Sequence, residues 1–260
     1  MIKIGIVGLG YVGQAVAAAY KNRAELICVD IDPAKSTHNF PDLFKTDAVF
    51  ICVPSPAKSN GACDASILAD TVKMLMPYNN LIISKVTATP DIYAKLACDN
   101  LVHIPEFLTA NNNIQDYIYE TSCIIGGQDR DFMQQALDIA KIGQTKLRSG
   151  YMCSIKEAAF TKYVENCFLA TKVVFMNEMS QVAAKDNISW TQVAAMLQKD
   201  PRVGLSHCQV PGPDGKLGFG GHCFPKDTAA FLHYARSLEQ SATLLTQAVE
   251  INYRIRNEIC

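Results

Sequence analysis

Along its first half the chain alternates short β-branched and aliphatic runs with longer helix-like stretches. The runs are Ile2–Val7, Leu26–Val29, Ala48–Val53, Leu81–Ser84, Leu101–Ile104 and Cys123–Ile125, the pattern of a parallel sheet covered by helices. After Gly150 the strand signal stops. Ser154-Ile-Lys-Glu157 then has the spacing of a capping box and predicts a helix running to about Asp186, nearly 50 Å at about 1.5 Å per residue. Its apolar residues include Ile155, Phe160, Tyr163, Val164, Phe168, Val173, Val174, Phe175, Met176, Met179 and Val182. They fall on more than one stripe, so burial on two sides is expected. The second side is read as another copy of the chain. The competing reading wraps the helix with later helices around 189–199, 225–239 and 241–259.

The regular pattern breaks between Pro201 and His222, a stretch with six glycines and two further prolines. Loops of that length inside compact domains are usually functional or disordered. This one ends in the dense motif Gly218-Phe-Gly-Gly-His-Cys-Phe-Pro-Lys-Asp227, which favours function.

Composition narrows the class. In 260 residues, 49% are apolar, 19% are charged and the net charge is −1. Such a chain is too hydrophobic to be disordered and too balanced to be built around nucleic acid or an anionic membrane, so a small ligand is expected. Nowhere do about 18 uninterrupted apolar residues occur, and no membrane span is expected. Lys3 and the apolar stretch after it have some likeness to a secretory leader, but glycines at 5, 8, 10 and 13 suit a leader's helical core poorly. The ten cysteines show no Cys-x-x-Cys pair, so neither a disulfide scaffold nor a zinc ribbon is indicated, and a reduced, cytoplasmic setting is expected.

Gly8-Leu-Gly-Tyr-Val-Gly13 follows the first strand and opens a helix. Gly8 makes the tight turn, Gly10 admits a pyrophosphate to the backbone, and Gly13 lets helix and strand pack. The helix N-terminus supplies N–H donors and partial positive charge. Asp30 ends the second strand about twenty residues on, where a carboxylate accepts both ribose hydroxyls and repels a 2′-phosphate. The pair predicts a Rossmann-type doubly wound sheet over residues 1–150 that binds NAD rather than NADP, followed by an all-α domain over 151–260.

Cys223 differs from cysteines such as Cys28, Cys52 and Cys167, which lie in apolar runs and read as core. Pro225 suits the first turn of a helix, so the thiol stands near that helix's positive end, where a lowered pKa and nucleophilic character are expected. Asp227, four residues on, suits a base or a group that orients water. Lys162 and Asn166 also stand four apart, on one face of the long helix amid apolar neighbours. They suit hydrogen bonding to a developing oxyanion, against the plainer reading of a lysine that reaches solvent. His207-Cys208 and His222-Cys223 lack zinc-ligand spacing, so no metal is expected.

These motifs, with Val53-Pro-Ser-Pro56, Lys85-Val-Thr87, Pro105-Glu-Phe-Leu108, Lys162 to Asn166, Asp200-Pro-Arg202 and Gly218 to Asp227, resemble the UDP-glucose/GDP-mannose dehydrogenases. That family oxidises a sugar C6 alcohol to a carboxylate with NAD in two hydride transfers through a cysteine thioester. The resemblance implies that Cys223 is the nucleophile, Lys162 and Asn166 its oxyanion partners, Asp227 with Thr87 the group that handles water, and Glu106 the aid to thioester hydrolysis. It implies cofactor contacts at Gly8, Gly10, Tyr11, Val12, Gly13, Asp30, Lys35, Val53, Pro54, Ser55 and Thr87. Substrate contacts are implied at Glu106, Phe107, Leu108, Lys162, Asn166, Phe219, Gly220, Gly221 and Arg202, the last toward a neighbouring subunit's substrate. Separately from the resemblance, the two-sided apolar pattern of the 154–186 helix predicts a homodimer through that helix.

The chain departs from the family pattern at Ser55 and Val86, where threonine and serine are usual, and at Ile104, where asparagine is common. The segment from Asp30 to Ala48 is short, and the loop around Val210–Lys216 carries extra residues. The family normally continues into a third, nucleotide-sugar-binding domain, whereas this chain stops at Cys260, and that domain is expected to be absent. Two alternatives remain: a non-catalytic NAD-binding or dimerisation module, and a two-electron hydroxyacid dehydrogenase, against which the Cys223 motif argues.

Overall fold

The computed structural model describes residues 1–96, 98–109 and 112–257. The chain divides into two compact units, Met1–Pro56 with Asp64–Lys162 and Ala57–Cys63 with Tyr163–Cys260.

The first unit is built on a seven-stranded sheet: β1 (Ile2–Val7), β2 (Ala24–Val29), β3 (Ala48–Ile51), β4 (Leu81–Ser84), β5 (Leu101–His103), β6 (Ser122–Gly126) and β7 (Ser149–Cys153), in the order β2-β1-β3-β4-β5-β6-β7. β1, β3 and β4 are apolar and buried over most of their length, as strands covered on both faces must be. The first unit also holds α1 (Tyr11–Tyr20), α2 (Ser66–Met74), α3 (Pro90–Lys95), α4 (Asn113–Tyr119) and α5 (Arg130–Gly143), of which α1, α4 and α5 share a buried core with β1, β3 and β4. Tyr20 ends α1 fully buried and donates its hydroxyl to the Ile139 carbonyl of α5 at 2.8 Å. α5 starts where Asp129 accepts the N–H groups of Asp131 and Phe132 at 2.8 and 3.0 Å, a side-chain cap.

Two sheet expectations need correction. The sheet is not wholly parallel, because β5 and β6 meet antiparallel through the single pair His103 and Gly126. The strand signal also does not end at Gly150: Ser149–Cys153 pairs parallel with β6 from Ser122↔Ser149 to Gly126↔Cys153. β7 contains no β-branched residue; the free edge of β6 supplies its backbone partners, and tertiary pairing overrides weak propensity.

The capping box forms as the spacing indicates. The Ser154 N–H donates to Glu157 Oε2 at 2.8 Å and the Glu157 N–H to Ser154 Oγ at 3.3 Å, opening α6 (Ile155–Lys185). The first turn lies close on β6, where a Cβ added to Gly126 would stand 2.5 Å from Ala158 Cβ.

The second unit holds the rest of α6, α7 (Trp190–Leu197), α8 (Cys223–Ser237) and α9 (Thr243–Asn257); residues 258–259 of the expected last helix lie outside the described residues. One face of α6 packs inward through Tyr163, Cys167, Ala170 and Val174, while Val164, Phe168, Phe175, Met179 and Val182 are exposed. The described later helices therefore leave the second stripe uncovered. Small clusters fill the interior: Ala170, Val174, Phe219 and Ala248; Cys167, Leu232 and Leu245; Met176, Ala194 and Cys208. The long loop is pinned by Lys172, which donates to the Val203 carbonyl at 2.8 Å and to that of Ser206.

Candidate functional site

In the first unit, the glycine turn joins β1 to α1. Gly8 takes φ +88°, and a Cβ there would meet the Cys52 carbonyl oxygen at 2.8 Å; one on Gly13 would lie 1.9 Å from the Gly8 oxygen. Both glycines are required by the protein itself. Gly10 is different, because a Cβ there would meet nothing within 4 Å. Its backbone, the N-cap of α1, stands open to an approaching group.

Asp30 follows β2 and accepts the Leu9 N–H at 2.5 Å and the Asp32 N–H at 2.9 Å, one on each carboxylate oxygen. Burial pushes its pKa up, but these donors and the Lys35 charge outweigh burial and hold it below the usual value. One lone-pair site per oxygen remains for a diol. Lys35 itself pairs with Asp32 at 3.6 Å. Beside the turn, Tyr11 is exposed and donates its hydroxyl to the Thr109 carbonyl, and Val12 is half-buried.

β3 ends at Ile51, two residues short of the expected Val53, so Val53, Pro54 and Ser55 lie in the loop beyond it. Ser55 donates to the Thr87 carbonyl at 2.6 Å, tying this loop to the one after β4. Behind Thr87, Tyr93 links Ser84 Oγ at 2.7 Å, the Val86 carbonyl at 2.7 Å and His103 Nδ1 at 3.0 Å. This buried network braces the ends of β4 and β5. Lys85, buried at 3% exposure, donates to the Pro105 carbonyl at 3.2 Å and so anchors the loop carrying Glu106, Phe107 and Leu108.

Lys162 is 5% exposed, so the plainer reading of a lysine that runs past the core into solvent is not met. Its Nζ stands 3.8 Å from Glu106 Oε1 and 4.8 Å from the centre of the Phe107 ring. Glu106 is fixed from the other side, its Oε2 accepting the Leu108 N–H at 2.8 Å. A buried ammonium needs such a partner.

In the second unit, Asn166 donates to Asp227 Oδ2 at 2.6 Å and Lys226 to Asp227 Oδ1 at 2.5 Å. Asp227 is 1% exposed. Cys223 is exposed and reduced, the first residue of α8, with His222 as N-cap and Pro225 in the first turn. The Phe219 ring is buried against Ala170, Val174 and Ala248, so this residue does not offer its ring to a ligand. Gly220 and Gly221 carry the loop on to His222. Arg202 is exposed and forks onto Asp200, with Nη2 at 2.6 Å. Among the described residues no group of three or more His, Cys, Asp or Glu side chains is arranged to hold a metal ion.

Residues 35–141 match the NAD-binding domain of the UDP-glucose/GDP-mannose dehydrogenase family, and residues 156–254 match its central domain. The chain belongs to the UDP-glucose/GDP-mannose dehydrogenase family. Its cofactor is NAD. The putative UDP-glucose 6-dehydrogenase YtcA of Bacillus subtilis is 27% identical, aligned over 96% of this chain and 67% of its own length. Among solved structures, a UDP-glucose dehydrogenase from Pyrobaculum islandicum superposes with a TM-score of 0.82 at 24% identity, over 98% of this chain and 68% of that one. A UDP-D-ManNAc dehydrogenase from Pyrococcus horikoshii gives 0.82 at 22% identity, over 98% and 69%. The chain thus spans about two thirds of the length of these relatives.

The first unit fits this cofactor. The glycine that the protein does not itself require, Gly10, is the one facing open space at a helix N-terminus, where a pyrophosphate needs close backbone approach. Spacing alone does not point to Asn177, Asn252 and Arg256, whose side chains bond the backbone of Leu217, Gly218 and Phe219 before Cys223; in the sequence they read as ordinary polar positions.

Proposed function

We propose that the chain oxidises the C6 alcohol of a nucleotide sugar to the carboxylate, with residues 1–150 as the NAD-binding domain and 151–260 as the helical domain carrying the thiol. The reading is carried by Cys223, an exposed thiol at the first residue of a 15-residue helix, four residues before a buried carboxylate that Asn166 holds at 2.6 Å. NAD, when bound, supplies the acceptor for the hydride in both oxidations.

The chain's own groups do the rest. Lys162 and Asn166 donate hydrogen bonds to the sugar oxygen as it loses its proton to water held by Asp227 and Thr87. At the aldehyde, the Cys223 thiolate adds to C6: a C–S bond forms, the carbonyl π pair moves to oxygen, and the same two donors stabilise that oxyanion. After the second oxidation a thioester remains. Water adds to it, Glu106 assisting removal of the water proton, and the C–S bond breaks to return the thiolate. Phe107, Leu108, Phe219, Gly220, Gly221 and Arg202 are assigned to the substrate. Gly8, Gly10, Tyr11, Val12, Gly13, Asp30, Lys35, Val53, Pro54, Ser55 and Thr87 are assigned to the cofactor.

We further infer a homodimer through α6, whose exposed stripe Val164, Phe168, Phe175, Met179 and Val182 leaves apolar area for a second copy to cover. No described helix is long and apolar enough to cross a membrane. The function is tested by mixing the protein with NAD and a panel of UDP- and GDP-sugars and following nicotinamide absorbance. Reduction with at least one sugar supports it, and none with any sugar favours the non-catalytic module.

A further inference from the structure

The segment leading into the thiol is held by its backbone. Gly218 takes φ +69° and Gly221 φ +74°, conformations natural to glycine, whose freedom must be removed by other contacts if the loop is to keep one shape. Asn177 of α6 accepts the Gly218 N–H at 3.0 Å. Asn252 of α9 accepts the Phe219 N–H through Oδ1 at 2.6 Å and donates Nδ2 to the Phe219 carbonyl at 3.1 Å. Arg256, one turn further along α9, donates to the carbonyls of Leu217 at 3.0 Å and Gly218 at 3.1 Å.

The two bonds from Asn252 to one residue are the pair that opposed residues exchange in an antiparallel ladder, made here by a single side chain. Asn252 is 8% exposed, so water does not compete freely for them. The approach is close enough to dictate glycine: a Cβ on Gly218 would lie 2.3 Å from Asn252 Oδ1, and one on Gly220 would lie 2.4 Å from Arg256 Nη2. With its ring in the Ala170–Val174–Ala248 cluster, Phe219 is fixed through both side chain and backbone, four residues before Cys223.

We propose that Asn252 is a positioning residue of the thiol site, fixing the Phe219 backbone and thereby the way residues 220–222 present their N–H groups and Cys223 at the start of α8. The inference rests on the reading of Cys223 as nucleophile and of the glycine run as a sugar contact. Asn252 acts through the loop.

Two variants separate its bonds. N252D keeps the acceptor for the Phe219 N–H and sets a carboxylate oxygen against the Phe219 carbonyl; N252L removes both bonds. In the full chain, the rate of Cys223 alkylation by iodoacetamide at pH 7 is read by peptide mass spectrometry, beside KM for NAD, KM for the nucleotide sugar and the melting temperature. N252D is expected to melt within a few degrees of the parent and to keep its NAD KM. Its sugar KM should rise roughly tenfold and its alkylation slow about threefold or more. N252L should exceed it in both. Unchanged sugar KM and alkylation in N252D, or NAD and sugar KM rising together with lost stability, would overturn the proposal. If the parent turns over no nucleotide sugar, the functional reading fails, while alkylation still decides the clamp: a slower rate in N252D supports it and an equal rate overturns it.

Discussion

Asn166 donates its amide N–H to the Asp227 carboxylate at 2.6 Å, and neither side chain is more than 5% exposed. The carboxylate fixes which end of the amide is nitrogen, and the proposed reaction assigns the second N–H to the substrate oxygen. N166D would set two carboxylates against each other in a buried site. A loss of about 3–5 kcal/mol in urea unfolding and of about 10²–10³ in kcat is expected. D227N keeps the shape and should lose less stability, about 1–3 kcal/mol, while acid formation fails. N166D at parental stability would contradict the pairing.

Asp30 predicts the cofactor preference. Its carboxylate is held ionised by the N–H groups of Leu9 and Asp32 and would repel a 2′-phosphate. Calorimetry should show NAD binding tighter than NADP, with D30A weakening NAD and narrowing the gap. NADP binding as tightly as NAD would remove Asp30 from the ribose site.

Much of the architecture is legible in the order of the amino acids. Continuous apolar runs mark β1, β3 and β4 because those strands are buried on both faces, and Ser154 with Glu157 marks the start of α6 because capping is local chemistry. β7 is not legible: in Ser-Gly-Tyr-Met-Cys only Tyr151 clearly favours a strand, and the partner that makes it one lies more than twenty residues earlier in β6. The antiparallel step at His103 and Gly126 leaves no mark in periodicity. Lys162 stands out as a misfit on an apolar helix, but its counter-charge, Glu106, is 56 residues away. Asn252 and Arg256 give no signal, since a polar side chain on an amphipathic helix looks the same facing a loop as facing water.

His103 predicts a pH dependence of stability. It is fully buried, stacked on Tyr93 with ring centres 4.4 Å apart, and burial lowers its pKa to about 3. Between pH 6.5 and about 3 the unfolded chain therefore binds a proton that the folded chain refuses, so this contribution is fully present above pH 6.5 and is lost as pH falls. From pH 7.5 to 5.5 it should cost about 1.4 kcal/mol. Urea unfolding at the two pH values should show that loss in the parent and a smaller one in H103Q. Equal losses would mean that His103 takes up its proton in the folded state.

The exposed stripe on α6 predicts association. Phe168 is 62% exposed at its middle, and F168E should turn a dimer seen by light scattering at micromolar concentration into a monomer with little change in NAD binding. A parent that is already monomeric would contradict the proposed interface.

The account turns on Cys223 carrying the aldehyde carbon through a second oxidation, and the direct measurement is the number of NADH formed per sugar consumed. Two per sugar are expected, with the carboxylate as product. C223S should bind NAD normally and slow or stall after the first oxidation, and C223A should form no acid. One NADH per sugar in the parent, or full acid formation by C223A, would contradict the account.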